Sequence, residues 1–249
     1  VGPNAQNDTA LYANYNGFSP HAMTPFDGIL EKVSVGSQVH PDEGCHLYRE
    51  EPPPSLSWQI EEYADVIIAV LGNTTELEGE EGDVALSDGG GDRRNLGLPG
   101  RQLELLKLVR ELGKPVVLVL MSGSPIDLTD VESYADAILF AWYPGEQGGR
   151  AIADVIFGDY NPAGRLPVTF VKSMAQLPAF QDYSMQGRTY RFMEAEPRFR
   201  FGFGLSYTRF TYADMCVSEA HPTVQHLDDG ITVSVEVTNA GERDGDEVV

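Results

Sequence analysis

The stretch "TTELEGEEGDVALSDGGGDRRNLGLPG" (74–100) places seven carboxylates in nineteen positions and follows them with Arg93 and Arg94. Like charges this dense repel one another unless water solvates them or they are put to use. A phosphate cradle is a poor match, because "DGGGDRR" has neither Gly-Lys-Ser/Thr nor G-x-G-x-x-G and carboxylates repel phosphate. A calcium loop would suit oxygen ligands, but the spacing departs from the EF-hand pattern. Two readings stay open: a solvated surface loop, and a loop carrying a general acid. Neighbouring negative charges favour the protonated carboxyl that such an acid requires. Glu78, Glu80 and Glu81 are neighbours of that kind.

Other side chains have chemistry of their own. Trp142 and Tyr143 in "WYPGEQGG" could stack on a sugar ring or pack in a core. Arg188 and Tyr190 in "GRTYRF" could line a site or anchor a loop through Arg–carboxylate pairs. Ser122 in "LMSGSP" lacks the G-x-S-x-G elbow and reads as a turn residue. The five histidines are scattered, with none at metal spacing, and Cys45 and Cys216 match no metal pattern. Two small buried thiols are expected there in preference to a disulfide. Asn7 and Asn73 fall in N-x-Thr triplets, which matter only on a eukaryotic secretory route. A glycan on Asn73 would crowd the acidic loop.

The elements that must position these groups are legible as periodicities. "ADVIIAVLG", "PVVLVLMSG" and "AILFAWYPG" are apolar runs of the kind expected for strands covered on both faces. Between the first two, "LPGRQLELLKLVRELGKP" reads as a helix with Pro99 in its first turn, Leu105, Val109 and Leu112 on one face, and Gly113 and Pro115 stopping it. "GGRAIADVIFG" reads as a short helix with Ile152, Val155 and Ile156 inward. Strands alternating with helices imply an α/β fold, with a mostly parallel sheet and helices on both faces. The acidic loop leaves the carboxyl end of the first strand, where ligands bind in open α/β sheets. With few apolar anchors (Leu77, Val84, Leu86), it is expected to be mobile, having little in this chain to pack against.

Beyond about residue 158 the sequence becomes rich in Gly, Pro and aromatics, expected as ordered loops over the sheet. Then "GITVSVEVTNAGERDGDEVV" alternates, with Ile231, Val233, Val235 and Val237 against Thr232, Ser234, Glu236 and Thr238. This is an antiparallel strand and turn, expected as the beginning of an antiparallel β-sandwich. Both ends of the chain are read as cut. The 249 residues carry 38 acidic and 17 basic side chains, a formal charge of −21. That balance argues against nucleic acid or an anionic membrane as partner and suits a neutral ligand such as a sugar.

Several motifs in order, "VGPNA", "NYNG" (14–17), "TPFDGIL" (24–30), "NPAGRLPVTF" (161–170), "DYSMQGRTYRF" (182–192) and "FRFGFGLSYTRF" (199–210), resemble the second domain of glycoside hydrolase family 3. The resemblance divides the chain into the family's C-terminal α/β domain at 1–212 and a truncated start of a fibronectin type III-like domain at 213–249. It implies part of a retaining, exo-acting β-glucosidase or β-xylosidase that hydrolyses terminal β-linked sugars from oligosaccharides. "DYSMQGRTYRF" looks more like the β-xylosidase branch. The nucleophilic aspartate belongs to a preceding (β/α)₈ barrel, whose motif this chain does not contain.

The family's acid/base lies on the loop after the strand that "ADVIIAVLG" resembles, in a Glu-x-Glu pattern followed by Asp-Arg and a Leu-Pro-Gly helix start. That role is carried onto Glu80, with Glu78 and Glu81 as alternates because the insert "GDVALSDGGG" widens the gap to Asp92-Arg93. Asp92, Arg93, Trp142, Tyr143, Arg188 and Tyr190 are candidates to contact the substrate. The expected partners are a glycoside and the barrel of the same enzyme, in an extracellular or periplasmic setting, with no cofactor or metal. Alone, the chain is expected to be inactive. The rival reading is a non-catalytic carbohydrate-binding or structural α/β module.

Overall fold

In chain order the protein forms α1 (Pro25–Lys32), α2 (Trp58–Tyr63), β1 (Ile67–Gly72), α3 (Gln102–Glu111), β2 (Val116–Met121), β3 (Ala137–Phe140), α4 (Gly148–Phe157), α5 (Thr189–Phe192), β4 (Phe210–Val217) and β5 (Val233–Asn239). The computed structural model describes residues 1–80, 84, 86–87, 89–219, 224 and 230–249.

The three apolar runs become a parallel sheet in the order β1-β2-β3. Ile67 pairs with Val116 and Gly72 with Met121, while Val117 through Leu120 pair with Ala137 through Phe140. All three carboxyl ends therefore open onto one rim. Alternation along the strands sends successive side chains to opposite faces. Ile67, Ala69, Leu71, Leu118 and Leu120 meet Leu105, Leu106 and Val109 of α3 on one face. Val70, Val119 and Met121 meet Ala10, Leu11 and Ile152 of α4 on the other. Helices thus cover both faces, as the alternation of periods predicts. Fully burying each of the Val, Leu, Ile and Met side chains among these contributes roughly 1.5–3 kcal/mol.

Helix α1 begins with a capping box, in which Thr24 accepts from the Asp27 N–H and Asp27 accepts from the Thr24 N–H, with Pro25 in the first turn. It lies against α4, and the contact is close. A Cβ on Gly28 would stand 2.0 Å from the Gly149 carbonyl oxygen, so a side chain there would push the helices apart.

The third apolar run differs from expectation. In β3, Ala137 is exposed and Ile138, Leu139 and Phe140 are half-buried, because the strand takes the edge of the sheet with only β2 beside it. The long segment after α4 lies over this region. Phe170, 2% exposed, exchanges backbone hydrogen bonds with Phe199, and Leu166 donates to the Phe203 carbonyl. Rings of Phe140, Trp142, Phe170, Phe199 and Phe203 form a chain of contacts at 4.5–6.5 Å.

Strands β4 and β5 pair antiparallel with a register shift between Ala213 and Cys216. On β5, Val235 and Val237 are half-buried, whereas Val233 and the preceding Ile231 are exposed. The expectation of two buried thiols holds for one. Cys45 is buried, its thiol pushed up to about 12 by burial, while Cys216 is exposed on β4; both are free. Among the described residues no helix is long and apolar enough to cross a membrane.

Candidate active site

The acidic loop starts by continuing β1. The Asn73 N–H donates to the Met121 carbonyl at 2.7 Å, and the chain then turns, with Leu77 and Glu78 donating to the Thr74 carbonyl. This turn sends Glu78 inward across the rim. Its Oε1 accepts from the Gly123 N–H at 2.5 Å and from the Tyr143 hydroxyl at 2.6 Å, and its Oε2 accepts from the Ser124 hydroxyl at 2.5 Å. Ser122 Oγ lies 3.2 Å from Oε1 and donates more closely, at 2.7 Å, to the Ser124 carbonyl. Glu78 is 8% exposed. The expectation that the loop finds little to pack against is overturned at this residue, and Val84 is also buried.

Arg93 completes the arrangement from the far limb of the loop. Its Nη1 donates to Ser124 Oγ and the Pro125 carbonyl, both at 3.0 Å, and its Nη2 donates to the Gly97 carbonyl at 2.6 Å. The guanidinium stands 4.0 Å from Glu78 Oε2. Burial lowers the Arg93 pKa against the opposing pull of Glu78. Burial, reinforced by the Glu78 charge, drives the Tyr143 phenol well above its usual range and keeps it a donor.

Glu80, two residues on, is exposed. Its Oε2 accepts from the Tyr15 hydroxyl at 2.7 Å. Tyr15 belongs to the "NYNG" stretch and holds φ at 61°, a left-handed conformation uncommon for a bulky side chain. Asp92 is exposed on the rim and its backbone bridges to Gly89 and Gly90. Glu81 lies outside the described residues.

The structure thus brings Glu78, Arg93 and Tyr143 together and leaves the other candidates apart. Trp142, with φ 55°, turns its indole onto Phe140 and Phe170 in the aromatic chain. The Arg188 guanidinium donates to the carbonyls of Ala179, Asp182 and Ser184, so it anchors its own loop through backbone groups and not through carboxylates. Tyr190 stacks on Phe201 at 4.7 Å and is 63% exposed. Among the described residues no hydrogen bond or ring contact joins Arg188 or Tyr190 to Glu78 or Glu80. Ser122 sits in the bend after β2, and Asn73, 2% exposed, donates to its hydroxyl, which leaves no room for a glycan.

Sequence reasoning missed Tyr15, Ser124 and Gln102. Gln102 is fully buried and clamps the end of β1, accepting from the Gly72 N–H at 2.7 Å and donating to the Leu47 and Gly72 carbonyls. Its signal was position: it precedes Leu105 by one helical turn on the inward face. Among the described residues no group of three or more His, Cys, Asp or Glu could hold a metal ion.

As arranged, the rim presents Glu80 as an exposed carboxyl beside Glu78, whose oxygens are already engaged. Such an exposed carboxyl can give or take a proton at a ligand placed over the rim.

The profile described as glycosyl hydrolase family 3 C-terminal domain matches residues 1–207. The chain is 36% identical over 284 residues to a periplasmic beta-glucosidase of Salmonella typhimurium, covering 100% of the chain and 36% of that protein. It is 35% identical over 263 residues to a beta-xylosidase of Formosa agariphila, covering 100% of the chain and 34% of the relative. A solved GH3 exo-beta-xylosidase in complex with a xylobiose aziridine probe superposes with a TM-score of 0.78 at 28% identity, over 99% of this chain and 34% of that one. The chain therefore spans about a third of the length of these proteins. On the profile match and these identities, the chain belongs to the C-terminal domain family of the family 3 glycosyl hydrolases.

Proposed function

We propose that this chain supplies the general acid/base, Glu80, to a retaining, exo-acting β-glycosidase that removes terminal β-linked sugars from oligosaccharides. The observation that carries the reading is the contrast between two glutamates on one loop. A proton donor must reach the glycosidic oxygen, and Glu80 is exposed at the carboxyl rim, whereas Glu78 has donors on both oxygens and is 8% exposed.

In a retaining enzyme the two carboxyl groups stand about 5–5.5 Å apart across the sugar. The partner is an N-terminal barrel of the same enzyme, which brings the nucleophilic aspartate. Glu80 first protonates the leaving oxygen, and the aspartate takes the anomeric carbon. Glu80 then removes a proton from the water that releases the sugar. Relatives named beta-glucosidase and beta-xylosidase support a glucoside or a xyloside as substrate. Residues 1–212 form the α/β domain and 213–249 open a fibronectin type III-like domain. The profile ends at 207 and β4 runs from Phe210 to Val217, so these observations support a division ahead of Phe210, slightly earlier than 212. The setting is extracellular or periplasmic, supported by the name of the Salmonella relative.

The test is Glu80→Gln in the full-length enzyme. For an alkyl glycoside, which needs the proton, kcat/KM should fall roughly 100-fold or more, while a 2,4-dinitrophenyl glycoside should change by less than about threefold. Azide, which needs no base, should raise turnover of the dinitrophenyl substrate. Unchanged turnover of the alkyl glycoside, with abolition in Glu78→Gln or Glu81→Gln, would move the role to the neighbour. No effect in any of the three would end the reading.

A further inference from the structure

Between Glu78 and Glu80 there is only Gly79, and the backbone there is confined from several sides. The Gly79 N–H donates to the Gly91 carbonyl at 3.2 Å. A Cβ on Gly79 would lie 2.1 Å from Asn14 Nδ2, and one on Gly91 would lie 2.6 Å from the Glu80 carbonyl oxygen. Close backbone approach and a φ of 128° require glycine at 91, whereas at 79 the side chains of Asn14 and Val84 would have to give way. One end of this short span is held by the buried Glu78 carboxyl, which reaches the loop after β2 through Gly123 and Ser124 and the loop after β3 through Tyr143. The far limb of the acidic loop joins through Arg93 on Ser124. At the other end the Glu80 carboxyl meets the Tyr15 hydroxyl.

We propose that Glu78, Ser124, Tyr143 and Arg93 form a positioning lock for Glu80 and make no contact with the sugar. The inference rests on the reading of Glu80 as acid/base and deepens it. The polar ends of Arg93 and Tyr143 are committed to partners within this chain. What they control is where the next exposed carboxyl stands. A misplacement of about 1 Å at a reacting group can cost on the order of 100-fold in rate, so a lock of this kind acts on proton transfer while leaving sugar affinity alone.

The experiment uses the full-length enzyme, with Tyr143→Phe as the first variant and Ser124→Ala as the second. Each removes one donor from Glu78, on Oε1 and Oε2 respectively, so either one keeps the test alive if the other fails to fold. In both variants kcat/KM for the alkyl glycoside should fall about tenfold, with KM within about twofold and kcat/KM for the 2,4-dinitrophenyl glycoside within about twofold. An equal fall for the two substrates would mean that Tyr143 or Ser124 binds the sugar, and it would overturn the lock. No fall for either substrate would also overturn it. Glu80→Gln, run alongside, separates the two ideas. Leaving-group selectivity in Glu80→Gln without any in Tyr143→Phe and Ser124→Ala sinks the lock alone, whereas none in Glu80→Gln sinks the acid/base reading and the lock with it.

Discussion

Glu78 and Arg93 face each other 4.0 Å apart with side chains 9% and 13% exposed, and the Ser124 hydroxyl stands between them. Ser124 Oγ accepts from Arg93 Nη1 at 3.0 Å and donates to Glu78 Oε2 at 2.5 Å, so the opposite charges are joined through a hydroxyl and not in direct contact. Taking two ions out of water is costly, and their attraction offsets that cost only when the remaining donors and acceptors are satisfied. Here the carboxyl has Tyr143 and Gly123, and the guanidinium has the Pro125 and Gly97 carbonyls.

The first consequence concerns stability. Glu78→Ala leaves a buried guanidinium without its counter-charge and removes the acceptor used by Tyr143, Ser124 and Gly123. Breaking a buried pair from one side costs about 3–5 kcal/mol. We expect about 3 kcal/mol in urea unfolding, because Arg93 keeps its carbonyl partners. Glu80→Ala, at an exposed position, should stay within about 0.5 kcal/mol. Equal losses at the two positions would contradict the division of the glutamates into buried and presented.

A second consequence follows from Gln102. Its amide holds both polar groups of Gly72, the last residue of β1 before the loop, and the Leu47 carbonyl. Gln102→Leu keeps the volume but leaves these groups buried without partners, at about 1–3 kcal/mol for each unsatisfied group. The expected result is a loss of at least about 3 kcal/mol together with faster hydrogen exchange at the Gly72 amide. Unchanged exchange there would show that the clamp does not hold the strand end.

The sheet and its helices were legible because they depend on local periodicity. Ile67 to Leu71, Val116 to Leu120 and the helix carrying Leu105 and Val109 are apolar at spacings that only one arrangement buries. The fate of the glutamates was not legible, since it depends on groups far along the chain. Glu78 is buried because Ser124 and Tyr143, 46 and 65 residues away, meet it. Nothing in "LEGEE" separates Glu78 from Glu80 locally. Likewise the run containing Ile138 to Phe140 is apolar enough for a central strand, but its edge place depends on which strands lie beside it. Gln102 shows the converse, a polar residue whose position on the inward helix face counted for more than its polarity.

The last prediction concerns acid. Asp136 stands just before β3, and its Oδ2 accepts from the Val116 N–H at 2.8 Å and from Arg110 at 2.9 Å, tying the start of β2 and the end of α3 to the start of β3. The Val116 N–H first, and then the Arg110 guanidinium, hold this carboxyl below the usual aspartate range. Both favour its ionised form, so between the folded and unfolded pKa values the unfolded chain binds more protons. Stability therefore rises with pH across that interval. The contribution is fully present above the unfolded value, about 3.9, and is lost as pH falls through the lower folded value. Asp136→Asn cannot ionise and lacks this dependence. In parallel urea titrations the wild-type protein should be the more stable near pH 7, with the gap to Asp136→Asn constant down to about pH 5. Below that the gap should narrow and approach its minimum once the folded carboxyl is protonated. A gap that stayed constant through that range, or widened, would mean that the ionised carboxyl of Asp136 contributes nothing to holding β2 and β3 together.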